Sequence, residues 1–164
     1  MRNKQKGFSL IELLIVVAII LIIAAIAIPN LLRSRMAANE ASAVGSLKTL
    51  VTSAITYSST HPDIGFPANM AAMGPAPGDN LIDAQLAGGN KSGYLFTYAI
   101  TVTSPCPTCV GGIHNDDFSI CADPTAPQRT GDRNFFTEAS AVIRFLTPAV
   151  AGPCAATIAS PAIS

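Results

Sequence analysis

Charge and aromatic rings are both scarce in this sequence: 12% of its 164 residues are charged and 6% are aromatic. Between Phe8 and Tyr57 there is no aromatic residue, so that stretch offers no ladder of stacked rings to a neighbour. Outside the leading residues no cations cluster, which removes the basic footprint of a nucleic-acid binder. No phosphate-binding loop, metalloprotease helix or nucleophile beside an orienting base is present either, so neither enzymatic activity nor a cofactor is expected. What remains is apolar: 49% of the residues are hydrophobic, too many for a typical soluble domain and far from the composition of a disordered chain. The length suits one domain plus an appendage.

The formal charge is zero, but its placement is uneven. Arg2, Lys4 and Lys6 put +3 on the first seven residues, leaving seven cations against ten anions in the other 157. Lys and Arg stay on the cytoplasmic side of a first apolar span, so this leader orients the chain at a membrane.

The span follows at once. Residues 13–28 are sixteen consecutive apolar side chains, preceded by Phe8, Ser9, Leu10, Ile11 and a single charge at Glu12. As a helix, residues 8–28 would measure about 31 Å, the thickness of a bilayer's apolar layer. A plain anchor has the same look, and so does a secretory signal cut near Ala27, where Ala25, Ile26 and Ala27 give a small-x-small pattern; a periplasmic or secreted binding protein would then remain. Neither accounts for Glu12. A carboxylate at mid-membrane costs roughly 2.5–3.5 kcal/mol, somewhat less near the edge, so it asks for a cationic partner. A cut between Gly7 and Phe8 would free an α-amine one helical turn before the acid, in the same subunit or in a neighbour.

The run Lys6, Gly7, Phe8, Ser9, Leu10, Ile11, Glu12, Leu13, Leu14, Ile15, Val16, Val17 resembles the N-terminal cleavage and methylation motif of type IV pilins and type II secretion pseudopilins. The resemblance spans about the first thirty residues, to Ile28, Pro29 and Asn30. It implies a prepilin peptidase that cuts after Gly7 at the inner membrane and methylates the amine of Phe8. It further implies that Glu12 pairs with the N-terminal amine of an adjacent subunit as a homo-oligomeric filament grows on a pilus assembly platform. A misplaced subunit would leave that charge buried and unpaired, which selects the axial register. A pilus subunit serving adhesion, motility or DNA uptake is the leading expectation, and a pseudopilin of a short envelope-bound piston is the alternative.

The expected organisation is α+β: a basic leader at 1–7 that is removed, a spanning and filament-core helix at 8–29, an amphipathic helical half at 30–60, and a globular head at 61–164. Leu47, Leu50, Val51, Ala54, Ile55 and Ser58 recur at spacings of three and four, with Met36, Ala43 and Val44 extending the stripe backward. Lys48, Thr49, Thr52, Ser53 and Thr56 lie mostly off it. Pro29 removes the hydrogen bond to the carbonyl of Ala25 and crowds that turn, so a bend or loosening is expected there, and Gly45 is a second weak place. The resemblance adds that pilin filaments often unwind before this proline.

Residues 61–92 read as a loop region with a short helix at 81–86. Residues 93–102 alternate Tyr94, Phe96, Tyr98, Ile100 and Val102 against Leu95, Thr97, Ala99 and Thr101, a strand pattern. A shorter strand is predicted at 118–121 and a hairpin at 134–137 and 141–146. Together they predict an antiparallel sheet of three or four strands packed on the helix. The phrases Gly93-Tyr94-Leu95-Phe96-Thr97-Tyr98 and Asn134-Phe135-Phe136-Thr137-Glu138 also resemble the heads of bacterial pilin-like proteins.

Cys106, Cys109, Cys121 and Cys154 all lie in the part that the span places outside the cytoplasm, where thiols oxidise. Cys106-Pro107-Thr108-Cys109 matches a redox spacing, but no helix presents it, and the spacings to the other two lack a second C-x-x-C pair for zinc. Structural disulfides are expected. Three pairings exist; the preferred one joins Cys106 to Cys109 and Cys121 to Cys154. Asp116 and Asp117 have the look of a calcium site of major pseudopilins but lack further spaced ligands, and a solvated turn is the expectation. His61 and His114 are isolated loop residues. Asn90-Lys91-Ser92 is a glycosylation triplet, and the Ala/Pro/Ser/Thr-rich tail 147–164 has the composition of an O-glycan carrier.

Overall fold

A computed structural model describes residues 8–149 and 162–163. Gly7 and Cys154 therefore lie outside the described residues, as does most of the tail. The chain is α+β: helix α1 (Leu10–Thr60), two single-turn helices α2 (Met70–Met73) and α3 (Ala84–Ala87), and strands β1 (Asn90–Lys91), β2 (Tyr94–Pro105), β3 (Ile113–Pro124), β4 (Asn134–Glu138) and β5 (Arg144–Leu146). It divides into two compact units between Arg35 and Met36.

The described part of the first unit, residues 8–35, is exposed and helical from Leu10 onward. Isoleucine, leucine and valine line it on every side, and the apolar side chains from Phe8 through Leu32 face out rather than into a core. Pro29 lies inside α1 and does not end it. Only the hydrogen bond to Ala25 is forfeited, and the turns on either side carry the helix through.

In the second unit α1 turns amphipathic and supplies one wall of the core. Ala43, Leu47, Leu50, Val51, Ala54 and Tyr57 are buried with Tyr94, Phe96, Phe118, Ile120 and Phe135 of the sheet. Three positions differ from the predicted stripe. Ile55 is exposed and Tyr57 takes a place in the core, while Ser53 is buried and donates to the carbonyl of Leu81 at 3.2 Å. The helix's inward face is thus centred one residue away from the Ile55–Ser58 edge, and a serine is tolerated there because a loop carbonyl satisfies its hydroxyl.

The sheet has five antiparallel strands in the order β1-β2-β3-β4-β5, against three or four predicted. The added strand, β1, is two residues long and pairs Asn90 with Leu95 and Lys91 with Tyr94, too short to leave a periodic signal. The β2–β3 ladder runs from Tyr94↔Pro124 to Pro105↔Ile113, with bulges between Ile100 and Val102 and between Val102 and Thr103. At the bulges the alternation fails: Val102, between the two and placed by pattern on the core face, is exposed. β5 begins at Arg144 rather than at 141, because Ala141 adopts φ 60° and its N–H closes a turn on the carbonyl of Glu138 at 2.9 Å.

β3 is longer than predicted, and Asp116 and Asp117 lie on it rather than in a turn. The reason is tertiary. Residues 64–66 lie against the edge of β3: Phe66 N–H donates to the carbonyl of Asn115 at 3.0 Å, Asn115 N–H to Ile64 at 2.9 Å, and Asn115 Nδ2 to Phe66 at 2.8 Å. Gly65 sits between them at φ 79°, where a Cβ would overlap the Asn115 carbonyl oxygen. The short helix predicted at 81–86 is instead α3, begun at Asp83, whose carboxylate accepts from Leu86 N–H at 2.8 Å as an N-cap. α2 is likewise capped, by Asn69.

Candidate functional site

The helix start is built from four residues. Ser9 precedes the first helical residue, and its carbonyl accepts from Leu13 N–H at 3.2 Å. Three residues on, Glu12 Oε2 accepts the backbone N–H of Ser9 at 2.9 Å. This is the reciprocal half of a capping box, Ser-x-x-Glu, in which an acid in the first turn satisfies an amide that the helix leaves open. The positive end of the helix dipole lies at the same place and favours the carboxylate. Glu12 therefore has an anchor within its own subunit. A lone charge in an apolar run points to a cation and not to Ser9, although Ser9-Leu10-Ile11-Glu12 carries the capping-box signature openly.

Phe8, one residue before the cap, is 80% exposed. Beyond Glu12 the helix is long and apolar enough to cross a membrane, and none of its most apolar stretch is buried within the chain. Each large aliphatic side chain gains about 1.5–3 kcal/mol when buried. An uncovered run of this length belongs in lipid or against other chains, not in water.

The other singled-out residues lie elsewhere. Cys106 and Cys109 form a disulfide, with Cα atoms 5.2 Å apart. Cys121 is disulfide-bonded too and fully buried; the partner expected for it, Cys154, lies outside the described residues. His114 Nδ1 lies 2.7 Å from Asp116 Oδ1, and hydrogen bonds from Ser104 and then His114 hold the Asp116 carboxyl below the usual range. His61 stacks on Tyr57 with centroids 4.2 Å apart and approaches Asp79 at 3.4 Å. Burial first, and then the charge of Asp79, push the Tyr57 hydroxyl up. Both histidines are thus engaged with aspartates rather than isolated. Among the described residues, no three His, Cys, Asp or Glu side chains are grouped to hold a metal ion.

Comparison with known proteins bears on the same helix. Residues 2–28 match the family model described as the prokaryotic N-terminal methylation motif. Over 40 residues the chain is 68% identical to the type IV wide pilus major component PilA4 of Thermus thermophilus, covering 24% of this chain and 30% of that protein. Over 76 residues it is 40% identical to the type IV major pilin protein PilA of Myxococcus xanthus, covering 46% of this chain and 34% of that one. The chain thus spans about a third of the length of each of these two relatives. No solved structure matches it. The match to a type IV major fimbrial protein FimA of Dichelobacter nodosus reaches into the head: 36% identity over 111 residues, 63% of this chain and 69% of that one. With a methylation-motif helix, an antiparallel head packed on its second half, and that extent of shared sequence, the chain belongs to the type IV pilin family and is a structural protein, not an enzyme.

Proposed function

We propose that this chain is the major subunit of a type IV pilus. It is made as an inner-membrane precursor, cut by a prepilin peptidase between Gly7 and Phe8, methylated on the freed amine of Phe8, and stacked through α1 into an extracellular filament by an assembly platform. In this reading residues 1–7 are the leader, 8–29 the membrane span and later the filament core, 30–60 the half of the helix that carries the head, and 61–164 the head presented outward. Adhesion, motility or DNA uptake would be work of the filament rather than of the single subunit.

The observation that carries the reading is the capped carboxylate of Glu12 at the start of an uncovered apolar helix. Capping Ser9 asks only for an acceptor, which a neutral side chain supplies without the cost of a charge in lipid; a helix that leaves lipid to pack among copies of itself gains a charge that must find its counterpart. The relatives' names, each a major pilin, major fimbrial protein or major pilus component, support the major-subunit role. The test is the mass of the mature N-terminus. The expected species begins at methylated Phe8; a chain beginning at Ile28, after a signal-peptide cut, would overturn the proposal.

A further inference from the structure

The β2–β3 hairpin runs on past its other neighbour. β4 pairs with β3 only over residues 119–122, whereas β2 and β3 stay together as far as Pro105 and Ile113. The Cys106–Cys109 disulfide closes the turn at that end. Backbone hydrogen bonds close it independently: Cys109 N–H to the Cys106 carbonyl at 2.9 Å, Gly112 N–H to Cys109 at 3.0 Å, and Cys106 N–H to Gly112 at 2.9 Å. The turn therefore has a scaffold that does not depend on the sulfur bond.

Nor does the fold as a whole depend on it. A disulfide stabilises less the shorter the loop it closes, and this one spans a sequence separation of three. Its setting is open: Pro105, Pro107 and Thr108 are exposed, and Cys106 and Cys109 are half-buried. No residue from 92 to 113 carries a formal charge, so the tip itself does not repel an approaching anion. Cys121, fully buried in the sheet, has the opposite setting. Exchange at a disulfide follows access to its sulfurs and the ease with which one leaves. Here the two sulfurs differ. Thr108 Oγ1 lies 3.6 Å from Cys106 Sγ, and since a disulfide sulfur carries no proton, the hydroxyl is the donor.

From this we propose that the Cys106–Cys109 disulfide is a thiol-exchange site that takes an exposed thiolate as its ligand. The incoming sulfur bonds to Cys109 Sγ, the Cys106–Cys109 bond breaks, and Cys106 departs as a thiolate that Thr108 stabilises before it takes a proton from water. One disulfide forms as one breaks, with no net oxidation. The reverse attack, by Cys106 on Cys109 Sγ, releases the partner and recloses the ring. The tip thereby becomes a covalent but reversible point of attachment for thiol-bearing molecules, and this assignment does not rest on filament assembly.

The test exposes the full-length protein in detergent to reduced glutathione, quenches with iodoacetamide to alkylate any released thiol, and maps the products by peptide mass spectrometry. Glutathione on Cys109 with alkylated Cys106, appearing while Cys121 is untouched, is the expected result, and Thr108→Val should slow it several-fold without changing the circular dichroism. A second arm replaces glutathione with a folded protein bearing one surface cysteine; cross-linking in that arm extends the ligand to protein thiols, and adducts confined to the first arm assign it to small ones. Glutathione found chiefly on Cys106, an unchanged rate in Thr108→Val, or Cys121 exchanging as fast as the tip would overturn the proposal.

Discussion

Asn134 Nδ2 donates to Asp123 Oδ1 at 2.7 Å, and both side chains are buried where β3 ends and β4 begins. Their strands are joined by a nine-residue excursion, 125–133, so the bond holds the two ends of that loop together inside the sheet. Asp123→Ala removes the acceptor and leaves a buried amide without it. A destabilisation of about 1–3 kcal/mol is expected. Urea unfolding of the purified protein in detergent measures it, and a loss within error of zero would mean that the bond contributes nothing.

Glu12 has two separable tasks, capping Ser9 and carrying charge. Glu12→Ala abolishes both, whereas Glu12→Gln keeps an acceptor for the Ser9 N–H and loses only the charge. Under the proposed function, fibre yield should fall in both variants while leader removal proceeds, since the peptidase would read the junction and the neighbour the charge. Normal fibres from Glu12→Gln would assign the residue to capping and refute charge pairing between subunits.

Asp83 couples α3 to β1. Its carboxyl is held below the ordinary 3.8 by the hydrogen bond from Lys91, then by the amide of Leu86. A depressed carboxyl stabilises in full above its unfolded value, and the contribution disappears as pH falls through the lower folded one. Stability should therefore be flat from neutrality down to about 3.8 on account of this group and drop below it. Asp83→Ala should cost about 1 kcal/mol at neutral pH as a lost N-cap. Asp83→Asn should keep most of that cap with a shallower acid limb; an acid profile identical to wild type would exclude Asp83 as its source.

Gly45 is an exposed glycine within α1, and a Cβ added there meets nothing within 4 Å. Gly45→Ala should stabilise the subunit by about 0.5–1 kcal/mol, through backbone entropy alone. Thermal unfolding in detergent tests this, and a lower midpoint would show that the chain itself needs the glycine.

Much of the fold was legible because its signals are periodic. The apolar run and the threefold and fourfold spacing of Leu47, Leu50, Val51 and Ala54 specify a helix whose character changes along its length, and the alternation from Tyr94 to Ile100 specifies a strand. The predictions failed where long-range pairing outweighs local preference. Asp116 and Asp117 read as a solvated turn yet lie on a strand, which β2 pairs on one side and residues 64–66 brace through Asn115 on the other. The inward position of Tyr57 and outward position of Ile55 depend on where the sheet lies, which no spacing along one helix records.

By itself the sequence determined that this chain carries an apolar rod with one acid near its start, a helix extending beyond it, and a β-rich head with four cysteines, because hydrophobic period and residue type act locally. Only the tertiary structure decided that Glu12 caps Ser9, that Cys106 is joined to Cys109 in an open turn, and that Asn115 fastens the loop after α1 to the sheet. Each of those is a matter of which polar group finds which partner, and hydrogen bonds select partners by distances that the order of residues does not contain.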